Sequence, residues 1–416
     1  MSGHRTHVVY IAEYSTGGSI ESLLTLVAGL DKREFRTTVL FYRLPDESTH
    51  KRIQDAGAEI TSLYPSASNS AARRQLKKYN LQSKVRKYFG RRIERAYSSL
   101  KFMIYFARFR RSIYRDLCRK LGTMQPDLAH LNTGIANDTP AALATRRRRI
   151  PTVGHVRDLD ELTYLSIRAA RSVRMFICIS SAVRDNLVKH GISPEKTIVV
   201  PNAVDLTRFD SSNVRPADMR SEFGWDHSDA VFVLAGRIVS WKGQDDFIRA
   251  IAIARQGDHS IRGLIVGEGD QSEESDAYIS RLKKTIVDLG IDDSVKFSGH
   301  RRDIPELMKS ADGVVCPSSS PEPFGRVIIE SMAVGTPVIA TAAGGATDII
   351  TDGMNGLLVP PKDSPALAAG LLRLTNEPEV SARLCSRALL AVKDRYSVGQ
   401  HVRSICEIYR SVLDNP

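Results

Sequence analysis

Cysteine and long apolar runs are both scarce in this chain of 416 residues, and each scarcity excludes a class of protein. The five cysteines are odd in number, scattered, and never spaced as Cys-x-x-Cys, so neither a disulfide framework nor a zinc site is expected. No apolar run approaches the ~20 residues that a membrane-spanning helix needs. The first apolar run, residues 8–12, is too short for the apolar region of a signal peptide. We therefore expect a cytoplasmic protein with reduced thiols and no metal ion.

The composition that remains is that of an ordinary globular protein. Apolar residues make up 42% of the chain and charged residues 25%, which matches neither a disordered nor a membrane-embedded sequence. A chain of this length is enough for two domains of roughly 150 to 200 residues each.

Positive charge is concentrated in one segment. Residues 73–120 hold 17 Lys and Arg against Glu94 and Asp116, so this segment carries +15, and the rest of the chain carries +12 less +15, or −3. Apolar residues recur there at three- and four-residue intervals, which predicts basic amphipathic helices. Such helices can rest on an anionic membrane, or can pack their apolar stripe on a sheet and leave their charges in water. Arginines interleaved with aromatic residues also suit nucleic acid.

Short β-branched runs alternate with helical stretches in both halves of the chain. In the first half these runs are residues 8–12, 37–42, 127–131, 152–156, 175–180 and 197–200. In the second half, after a polar connection that ends near residue 227, they are residues 230–236, 263–266, 295–298, 313–316 and 337–341. This rhythm predicts two doubly wound parallel sheets. Apolar residues at helical spacing in residues 396–413 predict a terminal helix.

Two carboxylates, Glu322 and Glu330, flank a Pro-Phe-Gly turn. Pro323 disfavours helix at the residue before it, and Gly325 tolerates unusual backbone angles, so we expect a helix to begin near Gly325 or Arg326. The free amides and positive dipole end of that helix can bind an anionic group such as phosphate. Glu330 lies within an apolar helix and must meet either a cation or the hydroxyls of a ligand.

Two cations follow the first strand of the second half. Arg237 comes directly after Gly236, and Lys242 lies five residues further on. Because ligands of open α/β sheets bind at the carboxyl ends of the strands, we expect both side chains to lie near a bound phosphate.

These motifs, together with Gly-Thr-Pro-Val-Ile-Ala-Thr from residue 335 to 341, resemble the signature of family-4 retaining glycosyltransferases of GT-B fold (glycosyl transferases group 1). The resemblance implies an α/β protein with two Rossmann-like domains that face a central cleft, and a C-terminal helix that crosses back. Residues 1–203 would form the acceptor-binding domain, which carries the basic segment 73–120 and is completed by helix 396–413. Residues 204–395 would form the nucleotide-sugar domain.

The resemblance also implies roles for individual residues. Arg237 and Lys242 would neutralise the departing diphosphate, Glu322 would contact the donor sugar, and Glu330 would hold the ribose. Further donor-binding residues would be Gly18, Gly236, Gly267, Gly269, Ser298, Gly299, His300, Phe324, Gly325 and Arg326.

In the first half, the resemblance places His155 beside the donor sugar and counts it among the catalytic residues. The acceptor contacts that we expect are Gly17, Asn132 and Arg157. Arg157 could instead pair with Asp158 or Asp160. We discount Asp158-Leu-Asp160 as a metal motif because the resembled enzymes neutralise the diphosphate with cations and helix amides, and no other metal-ligand cluster accompanies it.

We therefore expect a retaining glycosyltransferase that moves a hexose from a nucleotide sugar to a lipid-linked, lipopolysaccharide or polysaccharide acceptor. A UDP-sugar is the favoured donor and GDP-mannose the alternative. The enzyme would need no cofactor and would sit peripherally, on an anionic surface, at the inner face of the plasma membrane. Two alternatives stay open: the same chemistry on a small soluble acceptor, and a noncatalytic protein whose basic helices bind membrane or nucleic acid. Nucleic acid is the less favoured partner, because such a protein has no need for the phosphate and carboxylate motifs.

Overall fold

The computed structural model describes residues 5–13, 18–64, 110–270 and 272–414. The chain forms two compact units, one of Met1–Val200 together with His401–Pro416 and the other of Pro201–Gln400. The helices predicted in the basic segment lie mostly outside the described residues; from its end, Arg111–Met124 forms a helix.

A parallel sheet forms the centre of the first unit. In the described part of this unit its strands are β1 Thr6–Ala12, β2 Phe35–Arg43, β3 Glu59–Tyr64, β4 Leu128–Leu131, β5 Thr152–Val156, β6 Met175–Cys178 and β7 Thr197–Val199. They lie in the order β3-β2-β1-β4-β5-β6-β7, and each pairs with its neighbours in parallel. The order reverses between β1 and β4, where open α/β sheets bind ligands outside the carboxyl ends of the strands.

Helices cover both faces of this sheet, as parallel strands require. Those described are α1 Gly18–Gly29, α2 Glu47–Asp55, α3 Arg111–Met124, α4 Ile135–Arg148, α5 Tyr164–Ala170 and α6 Ser181–Lys189. The last helix of the chain, Val398–Asp414, places Ile405, Ile408, Tyr409 and Val412 in the same apolar core as Val8 and Phe41. A 3₁₀ turn, Pro194–Lys196, precedes β7.

The second unit repeats this architecture. Its strands are β8 Ala230–Ala235, β9 Ile261–Val266, β10 Val295–Gly299, β11 Gly313–Cys316, β12 Val338–Thr341 and β13 Leu357–Val359, in the order β10-β9-β8-β11-β12-β13. Its helices, in the described residues, are α7 Met219–Phe223, α8 Gln244–Ala254, α9 Glu273–Asp288, α10 Ile304–Ser310, α11 Arg326–Val334, α12 Ala346–Ile349, α13 Ser364–Asn376 and α14 Pro378–Arg395. We number the terminal helix Val398–Asp414 as α15.

The prediction of two Rossmann-like parallel-sheet domains is confirmed. Two strands escaped prediction. β3, with the sequence Glu-Ile-Thr-Ser-Leu-Tyr, is an edge strand whose residues are only partly buried, so its apolar signal is weak. The second is β13, which follows a turn at residues 352–356 and pairs with β12 at one edge of the second sheet. None of the helices in the described residues is long and apolar enough to cross a bilayer.

Candidate functional site

An ion pair joins two loops at the strand-order reversal of the second unit. Lys242 ends the 3₁₀ turn Ser240–Lys242 that follows β8, and Glu322 follows β11. The Lys242 ammonium nitrogen lies 3.0 Å from Oε1 and 2.8 Å from Oε2 of Glu322. Ser318 Oγ donates a second hydrogen bond to Oε2 at 2.7 Å. The carboxylate is therefore held in one orientation from two sides.

Burial makes this pair expensive to break. The side chain of Glu322 is 7% exposed and that of Lys242 is 20% exposed. Removing one partner of a buried pair leaves the other charge uncompensated, at a cost of about 3–5 kcal/mol. Lys242 also lies 4.4 Å from the ring centroid of Trp241, which adds a cation–π contact. The site thus keeps a cation and an anion together at the end of β8.

Glycines let the surrounding loops approach at backbone distance. A Cβ added to Gly243, whose φ is +76°, would lie 1.8 Å from the carbonyl oxygen of Pro317. A Cβ on Gly344, with φ +68°, would lie 2.2 Å from the carbonyl oxygen of Glu322. The amide of Gly345 donates to that same oxygen at 2.7 Å. The backbone of Glu322 is consequently fixed by the loop after β12.

The helix after the Pro-Phe-Gly turn begins where the sequence predicts. Gly325 adopts φ +93° and precedes α11, and as a glycine it offers that helix no capping side chain. Such a helix start can bind an anion. Arg326 pairs with Glu330 at 2.9 Å one turn later, which supplies the cation that Glu330 requires.

The remaining donor-side candidates end neighbouring strands of the same sheet. A Cβ on Gly267, with φ +141°, would lie 1.9 Å from the carbonyl oxygen of Gly236. The amide of Gly267 donates to the carbonyl oxygen of Gly299 at 2.9 Å. Ser298 Oγ donates to the Gly299 carbonyl at 3.3 Å. The ends of β8, β9 and β10 are thus in direct backbone contact.

Three other candidates differ in exposure. Arg237 and His300 are exposed and Phe324 is buried. Among the described residues, Arg237 makes no ion pair within 4.0 Å. Gly269 packs against Ser275, whose Oγ would lie 2.0 Å from an added Cβ. The structure thus brings Lys242, Glu322 and the start of α11 together, and leaves the Arg237 guanidinium facing solvent.

The candidates of the first unit form a buried network. Arg157 Nη2 donates to Asn132 Oδ1 at 3.0 Å and lies 3.2 Å from His155 Nδ1. Because a guanidinium only donates, His155 Nδ1 accepts and its proton sits on Nε2. Burial and the neighbouring Arg157 charge hold the pKa of His155 well below its usual value, so this imidazole is neutral. Gly18 begins α1 and is exposed, and Gly17 lies outside the described residues.

Sequence reasoning missed the hydroxyl partners of His130, a histidine that follows the same pattern at the end of β4. His130 Nδ1 lies 2.7 Å from the Tyr409 hydroxyl, which lies 3.0 Å from the hydroxyl of Tyr10. The His155 ring stacks 6.1 Å from that of His401. Tyr10 and Tyr409 are 399 positions apart, so no local pattern relates them. Ser318, by contrast, lies four residues before Glu322 and could have been considered as its hydrogen-bond partner.

Two carboxylates, Glu13 and Asp138, follow the ends of β1 and β4. Asp138 Oδ2 accepts from the amides of Thr133 and Gly134, and burial raises the pKa of Asp138 to about 7. Glu13 pairs with Arg110 at 3.0 Å, although burial still raises the pKa of Glu13. Across the described residues, no group of three or more His, Cys, Asp or Glu side chains is arranged to hold a metal ion.

The second-unit site is suited to an anionic ligand with hydroxyl groups. Cations and helix amides stabilise negative charge that develops on a departing group, and in a partly buried site they do so more strongly than in water. A fixed carboxylate can accept hydrogen bonds from ligand hydroxyls. Two Rossmann-like units, one with this constellation at its strand reversal, define a nucleotide-binding α/β protein of GT-B type.

Two family models match the chain, each covering most of one unit. The model described as Glycosyltransferase Family 4 matches residues 16–208, and the model described as Glycosyl transferases group 1 matches residues 217–389. Together they span most of the sequence, and the chain belongs to this family of GT-B glycosyltransferases.

The curated relatives resemble part of the chain. This chain is 34% identical to the D-inositol 3-phosphate glycosyltransferase of Frankia alni over 204 residues. Those residues are 47% of this chain and 48% of that protein. It is 32% identical to the protein of the same name from Saccharomonospora viridis over 234 residues, 55% of this chain and 53% of that one. The chain thus spans about half the length of these curated relatives.

Solved structures match the chain almost end to end. HepE of Anabaena, crystallised with UDP and glucose, has a TM-score of 0.76 and 25% identity, covering 98% of this chain and 100% of that one. A glycosyltransferase of Rickettsia africae has a TM-score of 0.78 and 19% identity, with both chains covered fully. These likenesses show that the chain has the fold of these two proteins.

Proposed function

We propose that this protein is a retaining glycosyltransferase that moves a hexose from a nucleotide sugar, a UDP-sugar by preference, to a lipid-linked, lipopolysaccharide or polysaccharide acceptor. The observation that carries the proposal is the Lys242–Glu322 pair, which Ser318 holds just before the N-terminus of α11. A binding protein for nucleic acid or membrane has no use for a buried cation and carboxylate at a strand reversal. GDP-mannose is the alternative donor.

In the proposed reaction, the sugar–phosphate bond loosens and the diphosphate gains charge. Lys242, Arg237 and the first amides of α11 stabilise that charge, which is the largest demand of the chemistry. Arg237 is suited to this task because it is exposed, and because it makes no ion pair with another described residue that a ligand would have to break. The departing phosphate helps to deprotonate the acceptor hydroxyl as it attacks from the same face, which retains the anomeric configuration.

Glu322 positions the donor sugar rather than attacking it. Lys242 contacts both of its oxygens and Ser318 donates to one, and a carboxylate so engaged is a weak nucleophile. Glu330 would hold the ribose, with Arg326 as its ion-pair partner. His155 would serve the donor sugar through its neutral imidazole, and Asn132 and Arg157 would contact the acceptor. The reaction requires no metal or other cofactor.

The donor and the acceptor are supported by different observations. UDP and glucose occur in the crystals of Anabaena HepE, which supports a UDP-sugar here. The basic segment supports an anionic acceptor or membrane at the inner face of the plasma membrane. The relatives named D-inositol 3-phosphate glycosyltransferase favour the second candidate, the same chemistry on a small soluble phosphorylated acceptor.

The proposal is tested with purified protein and a panel of UDP-, GDP- and ADP-sugars. Binding of the true donor raises the melting temperature. Slow transfer of the sugar from the donor to water releases the free sugar and the nucleoside diphosphate. We expect UDP-glucose or another UDP-hexose to raise the melting temperature and to release nucleotide. The variant Glu322→Gln should no longer release nucleotide while it keeps its fold. Absence of stabilisation and release with every donor, together with tight salt-sensitive RNA binding, would support the noncatalytic alternative.

A further inference from the structure

An open groove of about 440 Å³ lies between α3 and the second half of α4. It is lined by Tyr114, Leu143, Arg146, Arg147 and Arg149. The three arginines are exposed, whereas Tyr114 and Leu143 are half-buried. Among the described residues, no acidic side chain lines the groove. We refer to these five residues as the arginine groove.

The charges of the arginine groove have no ion-pair partner in the part of the chain that the structure describes. Within the described residues, Arg146, Arg147 and Arg149 make no side-chain hydrogen bond or ion pair. Their neighbour Arg148 shows what a structural arginine does here, because its Nε donates to the carbonyl oxygen of Cys118 at 2.7 Å. Cations in the last helical turn are stabilised by the helix dipole, but several side by side also repel one another. An anionic partner removes that repulsion.

The positive surface continues along α3. Arg111 and Arg115 are exposed and one turn apart, on the side of the helix that carries Tyr114. The surface therefore extends beyond a single phosphate-sized pocket. A tyrosine and a leucine between guanidinium groups match the bilayer interface, where aromatic rings and arginine stems contact lipid while their polar ends reach the headgroups.

The groove is separate from the edge of the sheet where ligands of this fold bind. The loop after β4, at the carboxyl end of the sheet, leads into the start of α4 at Ile135. Arg146 lies eleven residues further along that helix, which corresponds to about 16 Å of helical rise. A ligand in the arginine groove therefore does not occupy the carboxyl-end site.

We infer that the arginine groove is a docking surface for the phosphate headgroups of an anionic bilayer. The inference deepens the proposed function, on which it rests for the presence of a membrane, by giving the membrane contact a place in the fold. Each cation near an anionic membrane surface contributes severalfold to partitioning, so the three arginines together contribute on the order of 100-fold.

The test measures flotation of the full-length protein with vesicles of phosphatidylcholine alone and with vesicles that also contain phosphatidylglycerol. The variant carries Arg146→Gln, Arg147→Gln and Arg149→Gln. Its matched control carries Arg383→Gln, Arg387→Gln and Lys393→Gln, which remove the same charge from exposed positions of α14. We expect wild type and control to float only with phosphatidylglycerol, and the groove variant to partition on the order of 100-fold more weakly.

Three results would overturn the inference. The groove variant could float as wild type does. Inorganic phosphate could raise the melting temperature through these arginines while no vesicle binds, which would indicate a soluble phosphate site only. Single-stranded RNA could bind them in place of vesicles. Should the triple variant fold poorly by circular dichroism, replacement of the same three arginines by lysine keeps the charge, and it must retain vesicle binding.

Nucleotide release from the UDP-sugar separates this inference from the proposed function. The groove variant should release nucleotide at the wild-type rate, because its substitutions belong to the first unit and change none of the donor-side residues. A wild-type protein that binds vesicles but never releases nucleotide would refute the enzyme and leave the docking surface standing.

Discussion

The two units share one strand order, yet they stabilise their strand reversals by different means. In the second unit, glycines bring the loops after β8, β9, β11 and β12 to backbone distance, and the Lys242–Glu322 pair closes the end of β8. In the first unit, a chain of buried rings and hydroxyls reaches from Tyr10 through Tyr409 to His130. A common sheet topology therefore sets where a site can lie, and the local side chains set its chemistry.

The two regions also differ in how far apart along the chain their interacting residues lie. Every contact that fixes Glu322 comes from loops of the second unit, while Tyr409 belongs to the terminal helix, which packs on the first sheet. The second-unit site is thus built of short motifs, and the first-unit network depends on residues far apart in sequence. The following predictions probe the two regions from the largest expected effect to the smallest.

Gly243→Ala should destabilise the second unit by more than about 3 kcal/mol, because a Cβ would lie 1.8 Å from a carbonyl oxygen and force a backbone shift. Gly224→Ala is the matched control, since Gly224 has a φ of +71° against +76° for Gly243 and nothing within 4 Å of its added Cβ. The control should cost only about 1–2 kcal/mol. Urea unfolding measures the free energy of unfolding of both variants. Equal losses of that free energy would mean that the close approach of Gly243 to Pro317 does not matter for stability.

Asp138→Asn should stabilise the first unit much more at pH 8 than at pH 4. Burial raises the pKa of Asp138 to about 7, above the 3.8 of an unperturbed aspartate, so the folded state holds a proton that the unfolded state has lost. The stability contributed by this carboxyl is therefore present at low pH and lost as pH rises through 7. Removing the charge should recover as much as about 4 kcal/mol at pH 8. A melting-temperature difference that does not change with pH would contradict the buried, protonated carboxyl.

Tyr409→Phe should cost about 2 kcal/mol, because it leaves both the Tyr10 hydroxyl and His130 Nδ1 without their shared partner in a buried position. Tyr396→Phe in the second unit removes one longer bond, 3.3 Å to the Asp348 carbonyl, and should cost about 0.5–1 kcal/mol. Thermal unfolding compares the two. An equal cost would show that the hydroxyl network of the first unit carries no special stability.

Ser318→Ala should lower kcat for nucleotide release about 10-fold and change KM less, because Glu322 loses one of the groups that orient it but keeps Lys242. Ser331→Ala is the control, since Ser331 is also fully buried and donates one hydrogen bond, to the Thr336 carbonyl. Its kcat should match wild type. If both variants lose activity equally, Ser318 is merely structural.

The fold was predictable because its signals are local. Continuous β-branched runs such as Ala230–Ala235 are buried on both faces, and the Pro-Phe-Gly turn does end where α11 begins. The edge strands β3 and β13 were missed, because β3 mixes apolar with polar residues and is only partly buried, and β13 is only three residues long. Of the site, the positions of Lys242 and Glu322 were predicted, but their direct ion pair was not, because spacing along the chain gives no distance between loops 80 residues apart.

The network of Tyr10, His130 and Tyr409 was beyond sequence reasoning for the same reason. Each residue is ordinary in its own segment, and only the packing of α15 on the first sheet brings their polar atoms together. The roles of His155, Asn132 and Arg157 stay predictions, and the structure adds that all three are buried.

The central claim is that the strand reversal of the second unit binds the donor diphosphate, and calorimetric titration of UDP-glucose into Arg237→Ala tests it most directly. Arg237 is exposed and makes no ion pair among the described residues, so its loss should leave the fold intact. We predict binding 10- to 100-fold weaker than wild type, roughly the contribution of one charge-assisted contact. The control Arg302→Ala, at another exposed arginine of the same unit, should bind as wild type does. Unchanged affinity in Arg237→Ala would contradict the claim.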